Sequence, residues 1–175
     1  MTRRAKTVEK GFTLIELLIV VAIIGIIASM LVPNLLDALQ KAKQKRTMAD
    51  MRIAGGAMFS WITDAVGAAA AGQTTTEVDL GDYGGELSVE DLSTILVPQY
   101  LQEIPKIDGW KSPFEYYLNT ENPFAAHVVA VRSLGSDKAE EDTSYTVTSF
   151  EPTDYQQDIL WADGQFVRWP QKGSR

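Results

Sequence analysis

Few side chains in this chain could carry chemistry. It has one histidine, His127, and no cysteine, which removes disulfides, thiolate metal sites, cysteine nucleophiles and any mechanism that needs two imidazoles. His127 lies in a run patterned as a strand, where a structural role is the common outcome, and the Glu140–Glu141 pair lies in a polar run that reads as a solvated face. There is no glycine-rich phosphate loop, zinc constellation or nucleophile elbow, so an enzyme is not expected. The carboxylate that asks for an explanation is Glu16, at the edge of a long apolar run. Moving a charge toward a bilayer centre costs up to roughly 2.5–3.5 kcal/mol. Either a partner charge offsets that cost, or Glu16 snorkels into the headgroups.

The element that carries Glu16 is unusual for a chain of 175 residues. Leu17 to Leu36 contains no charged side chain (LLIVVAIIGIIASMLVPNLL), and twenty residues at about 1.5 Å each make a helix of about 30 Å, the depth of a bilayer's hydrocarbon core. A soluble core helix of this kind would fill most of a small core by itself. A secretory signal would be shorter and end in a small-x-small site, whereas Pro33-Asn34-Leu35-Leu36 runs directly into further helical sequence. A membrane-spanning helix is therefore expected. Pro33 cannot bond the carbonyl of Ser29 and Gly25 lowers helix propensity, so Gly25 to Pro33 is a weak point in it. Four basic residues precede the span and five follow it closely, so the positive-inside rule selects no orientation.

Beyond the span, Leu39, Ala42, Met48, Met51, Ala54, Met58, Trp61 and Ile62 recur at three- and four-residue spacing, which predicts one helix from about Thr13 to Val66 with Met51, Met58 and Ile62 laid on a sheet. Gly67 to Thr76 breaks the pattern and reads as a flexible loop. Ser88 and Asp91 form a capping box for a short helix ending before Pro98. Phe114 to Leu118, His127 to Ser133, Tyr145 to Phe150, Ile159 to Ala162 and Gln165 to Trp169 read as strands, with a hairpin at Asp163-Gly164. The expected fold is α+β, a long helix on a small antiparallel sheet. Residues 53 to 175 carry seven Lys or Arg against nineteen Asp or Glu, a net −12 that would repel nucleic-acid phosphates.

A short basic stretch (MTRRAKTVEKG) ends at Gly11 and is followed by Phe12-Thr13-Leu14-Ile15-Glu16 and the apolar run. In this the chain resembles the type IV pilin superfamily over twenty-six residues, GFTLIELLIVVAIIGIIASMLVPNLL. The resemblance implies residues 1–11 as a leader, 12–36 as a transmembrane and assembly helix and 37–175 as an exported pilin-like domain. It implies a prepilin peptidase cutting between Gly11 and Phe12 on the cytoplasmic side, N-methylation of Phe12, and pairing of Glu16 with the freed amino group of Phe12 in a neighbouring copy. It also implies that Gly25 to Pro33 loses helical structure on packing; an ordinary proline kink is the alternative. Glycine suits the cleavage point because it lets a protease approach the backbone without Cβ interference.

The later sequence LVPQYLQEIPKIDGWKSPFEYYLN, followed by VRSLGSDK, is similar to the major pseudopilin of type II secretion systems. That implies a filament of many copies grown at the bacterial inner membrane toward the periplasm, with an assembly platform, an ATPase and minor pseudopilins as partners. It also implies a calcium ion in the loop that opens at Ser133 to Asp137. Leu134, through its carbonyl, and Asp137 match the motif, with Asp158 as the distal ligand and Asp154 as a further one. Calcium takes six to eight oxygen ligands, which the carboxylates of this region could supply; a solvated acidic loop without metal is the competing expectation. The twenty residues between Asp137 and Asp158 are longer than the family loop and include strand-like sequence. Two other functions remain: a type IV pilin for adhesion, motility or DNA uptake, against which the lack of cysteine argues mildly, and a membrane-tethered binding or sensory protein whose leader is never cut.

Overall fold

Thr13 and Glu16 close a reciprocal capping box at the start of the first helix. The Glu16 carboxylate accepts from the Thr13 backbone N–H (2.9 Å) and hydroxyl (2.7 Å), and the Glu16 N–H donates back to the Thr13 hydroxyl (3.3 Å). From there helix α1 runs unbroken over Leu14–Val66, with Pro33 inside it. The computed structural model of the protein describes residues 11–66, 77–120, 122 and 125–171. Residues 1–10 of the expected leader (1–11) and the loop expected at Gly67 to Thr76 lie outside the described residues.

The chain divides into two compact units, Met1–Ala38 and Leu39–Arg175. In the first, the apolar side chains of α1 are exposed. In the second, α1 is amphipathic: Met51, Ala54, Ala57, Met58 and Ile62 are buried, as their spacing predicts, while Leu39 and Ala42 are exposed.

After α1 come strand β1 (Glu77–Asp79), a 3-10 turn (Leu80–Tyr83), β2 (Glu86–Leu87), helix α2 (Val89–Leu96), and strands β3 (Glu115–Leu118), β4 (Val129–Ser133), β5 (Ser144–Thr146), β6 (Thr148–Phe150), β7 (Ile159–Ala162) and β8 (Gln165–Pro170). Ser88 caps α2 by accepting from the Asp91 N–H (3.1 Å), as its spacing predicts. Six strands form one sheet in the order β2-β3-β4-β7-β8-β6, and β1 pairs with β5 in a separate ribbon. Asp163 (φ +45) and Gly164 (φ +95) turn between β7 and β8, the left-handed pair that an Asp-Gly hairpin requires.

Two expectations change, and two strands are new. Tyr145 to Phe150 is two strands: β5 pairs with β1, whereas β6 joins the six-stranded sheet beside β8 and runs parallel to it. The sheet is therefore antiparallel except at that edge. The strand expected from His127 begins at Val129, because His127 is drawn to Asp163 and Tyr83 (3.1 and 3.3 Å). β1 and β2, both short and acidic, carry too little apolar pattern to be legible in advance.

Both faces of the six-stranded sheet are covered. Tyr116, Leu118, Val129, Val131, Ile159 and Trp161 share a core with Met51, Ala54, Met58 and Ile62 of α1 and with Leu92 and Leu96 of α2. Tyr117, Ala130, Leu160, Ala162 and Val167 face the opposite way, onto Val78, Leu80, Tyr83 and Tyr145. Burial from two sides explains why β4 and β7 read as continuous apolar runs rather than alternating ones.

Candidate functional site

The first candidate segment is the start of α1. Gly11 and Phe12 precede the helix and are exposed, Phe12 by 79%. Glu16 is exposed, and its carboxylate bonds Thr13 within its own chain. The Thr-x-x-Glu spacing that produces this cap is visible in the sequence. Gly25 and Pro33 lie inside continuous helix, with open space where a Gly25 Cβ would stand. The Asn34 amide donates to the Met30 carbonyl (3.3 Å) and the Ser29 hydroxyl to that of Ile26 (2.7 Å), so side chains bond the backbone around the proline.

The stretch Asp108 to Ser112 clasps the second half of α1. The buried Asp108 carboxylate accepts from the N–H groups of Trp110 (2.8 Å) and Ser112 (2.9 Å) through one oxygen and from the Ser133 hydroxyl (2.7 Å) through the other. The turn so formed reaches the helix: the Gly109 N–H donates to the Thr47 hydroxyl (2.9 Å), and Trp110 Nε1 donates to the Gln40 side chain (2.7 Å). A Cβ on Gly109 would overlap the helix backbone at Lys43, which is why glycine stands there. The two sequence motifs, Asp108-Gly109-Trp110 and Ser133 to Asp137, are thus one structural device joined through the Asp108–Ser133 bond.

The C-terminal loop follows β4. Gly135 (φ +66) lies against the carbonyls of Gln156 and Gln157, and the Ser136 N–H donates to the Tyr155 carbonyl (2.7 Å). Asp158, at the foot of β7, is fully buried. Its Oδ2 accepts from the Tyr145 hydroxyl (2.5 Å) and the Glu141 N–H (3.2 Å), while its Oδ1 is buried without a hydrogen-bond partner. Burial pushes the Asp158 carboxyl up to about 6; the bonds from Tyr145 and Glu141 N–H oppose that rise, and the Glu141 charge adds to it.

Those geometries test the calcium expectation. Leu134 is half-buried just past β4; Asp137 is exposed, its Oδ1 accepting from the Ala139 N–H (3.2 Å), and Asp154 closes its own turn onto the Gln156 N–H (3.3 Å). Among the described residues no group of three or more His, Asp or Glu is placed to hold a metal. The buried carboxylate is met by two donors through Oδ2 alone, and two guanidinium groups stand in the region: Arg132, whose side chain is 4% exposed, and Arg168, which bonds Glu141. Asp137 and Asp154 are thus taken up in their own turns and Asp158 is met by donors through one oxygen, so these side chains do not form one cluster. Arg132 was missed in the sequence, although a lone charge inside the apolar run His127 to Ser133 is a signal that a buried partner must exist.

Comparison with known proteins agrees with the N-terminal segment and extends beyond it. Residues 6–32 match the prokaryotic N-terminal methylation motif. The type II secretion system core protein G of Vibrio cholerae is 28% identical over 150 residues, 85% of this chain and 96% of the relative, and that of Pseudomonas aeruginosa is 29% identical over 133 residues, 75% and 87%. Fimbrial protein Q of Moraxella bovis is 39% identical over 77 residues, 42% of this chain and 47% of the relative. No solved structure matches the chain at a significant level. An N-terminal methylation motif at the head of an exposed apolar helix, a later part of that helix packed on a small sheet, and relatives 28–29% identical over 75–85% of the chain make this protein similar to the type II secretion system core protein G.

Proposed function

We propose that the protein is a structural subunit of the periplasmic pseudopilus of a type II protein secretion system. It is anchored in the bacterial inner membrane by the first part of α1, with the domain after residue 36 in the periplasm. The carrying observation is the contrast between a domain that completes its own core and an uncharged helical stretch whose large apolar side chains are all exposed. Such a surface is stable only in lipid or against other copies of itself, and repeated contacts that do not close into a ring build a filament.

On this reading a prepilin peptidase cuts between Gly11 and Phe12, Phe12 is methylated, and an inner-membrane platform and ATPase draw subunits from the membrane into a filament with minor pseudopilins. Glu16 leaves its bond to Thr13 to meet the Phe12 amino group of a neighbour. The role on this reading is mechanical rather than enzymatic, and the single histidine is held by Asp163 and Tyr83.

The second reading, a type IV pilin, is favoured by the Moraxella bovis match, which covers under half of either chain; the secretion relatives are aligned over far more. The experiment that separates the two is the partition of secreted hydrolases between periplasm and medium in a strain lacking this protein, with surface pili counted in parallel. Exoproteins trapped in the periplasm with pili intact are expected. Normal secretion with pili lost would establish the pilin instead.

A further inference from the structure

Arg132 gathers around one guanidinium the kind of oxygen set that a hard cation would seek. It lies on β4 directly across from Glu115 of β3, whose carboxylate it bonds through Nε (2.6 Å) and Nη2 (2.5 Å). Its Nη1 bonds the Glu140 carboxylate (2.8 Å), the Asp142 carbonyl (2.9 Å) and the Tyr145 hydroxyl (3.2 Å), and Nη2 reaches the Tyr117 hydroxyl at 3.5 Å. The Tyr145 hydroxyl in turn donates to Asp158 and accepts from the Asp142 N–H (3.3 Å). One buried side chain thus connects β3, two points of the loop between β4 and β5, β5 itself and, through Tyr145, the start of β7.

We infer that this chain fastens its C-terminal loop with the guanidinium of Arg132, in the role for which the family resemblance implies calcium. A guanidinium suits the task because it is planar, carries five donors in a fixed fork and keeps its charge when buried. Lysine would supply the charge without the fork. Glu140 and Asp142 reach Arg132 from the second half of the loop, so the tie draws a loop of ten residues, 134 to 143, back onto β4. Loop closure is then independent of free divalent cations, and so, on the pseudopilin reading above, is filament assembly. The fastening itself is tested on the isolated protein, where its failure leaves that reading untouched.

The full-length protein, stripped with a chelator and held in detergent micelles, is titrated with calcium chloride, and its thermal midpoint is measured in EGTA and in millimolar calcium. Hydrogen exchange of residues 134 to 143 is followed in the same samples. The expected result is no binding heat and one midpoint in both buffers. Arg132→Lys and Glu140→Gln should each raise exchange across the loop about tenfold or more, with no recovery on adding calcium. A wild-type midpoint several degrees higher in calcium, or loop exchange unmoved in both variants, overturns the inference. Should Arg132→Lys fail to fold, Glu140→Gln decides alone, because its side chain is half-exposed and its loss leaves the core intact.

Discussion

From Leu14 to Leu36 the large apolar side chains of α1 are 46–85% exposed, whereas the inward ones from Met51 to Ile62 are at most 6% exposed. Both stretches belong to one continuous helix, and both are rich in aliphatic residues. What separates them is distribution. The first is apolar on every side, so no single neighbouring sheet could cover it; it needs a solvent of its own kind or copies of itself. The second turns most of its apolar residues, Ile53 excepted, to one face, and the sheet residues Val131, Ile159 and Trp161 complete that face within the same chain. The comparison assigns assembly to one part of the helix and folding to the other, and mutations in the two parts should fail in different ways.

The largest expected effect is all-or-none. Glu16→Ala should abolish filaments while leaving the amount of protein in the membrane unchanged, read by electron microscopy of sheared filaments beside immunoblots of membrane fractions. Thr13→Ala, which breaks the intramolecular cap but keeps the Glu16 carboxylate, should still assemble. Loss of filaments in both variants would mean that Glu16 acts through the cap and not through a neighbour.

In the second part of the helix the same kind of change should cost stability. Met58→Ala should lower the unfolding free energy by about 2–5 kcal/mol, since it leaves a cavity in a fully buried site. Ile24→Ala, in the exposed part, should change it by less than about 0.5 kcal/mol. Equal losses in denaturant titrations would erase the contrast. Next in size is Gly55→Val, whose new side chain would overlap the Trp161 ring and should cost about 1–3 kcal/mol through overpacking. A neutral result would mean that Trp161 has room to move.

The smallest effect concerns pH and lies wholly within the folded domain. Asp158 binds its proton more tightly folded than unfolded, its value raised from 3.8 to about 6. Its stabilising contribution is therefore fully present below the ordinary carboxylate range and is lost as pH rises through about 6. Asp158→Asn should flatten that part of the stability–pH curve. Tyr145, Glu141 and Arg132 face the same carboxylate, and an unchanged curve would mean that Asp158 does not shape this region.

Legibility followed the range of the forces involved. The extent of α1, the Ser88 cap and the Asp163-Gly164 turn were readable because each depends on residues a few positions apart. The Thr13–Glu16 cap is equally local, a Thr-x-x-Glu spacing at the start of the helix. The division of Tyr145 to Phe150 was not readable, because Val147 stands between strands whose partners, β1 and β8, come from opposite ends of the folded domain's sequence. The candidate metal site shows the same limit: a motif brought Leu134, Asp137, Asp154 and Asp158 to attention, but whether their oxygens converge depends on three-dimensional placement.

By itself the sequence determined a leader motif, an uncharged run long enough to cross a bilayer, an amphipathic continuation and strands enough for a small sheet, since hydropathy and periodicity act along the chain. Only the tertiary structure decided that Asp108 and Ser133 unite two motifs, and that Arg132 meets Glu115, Glu140 and Tyr145. The physical reason is register. Arg132 faces Glu115 because β3 and β4 pair at that position, and a slip of one residue would turn its side chain to the sheet's other face.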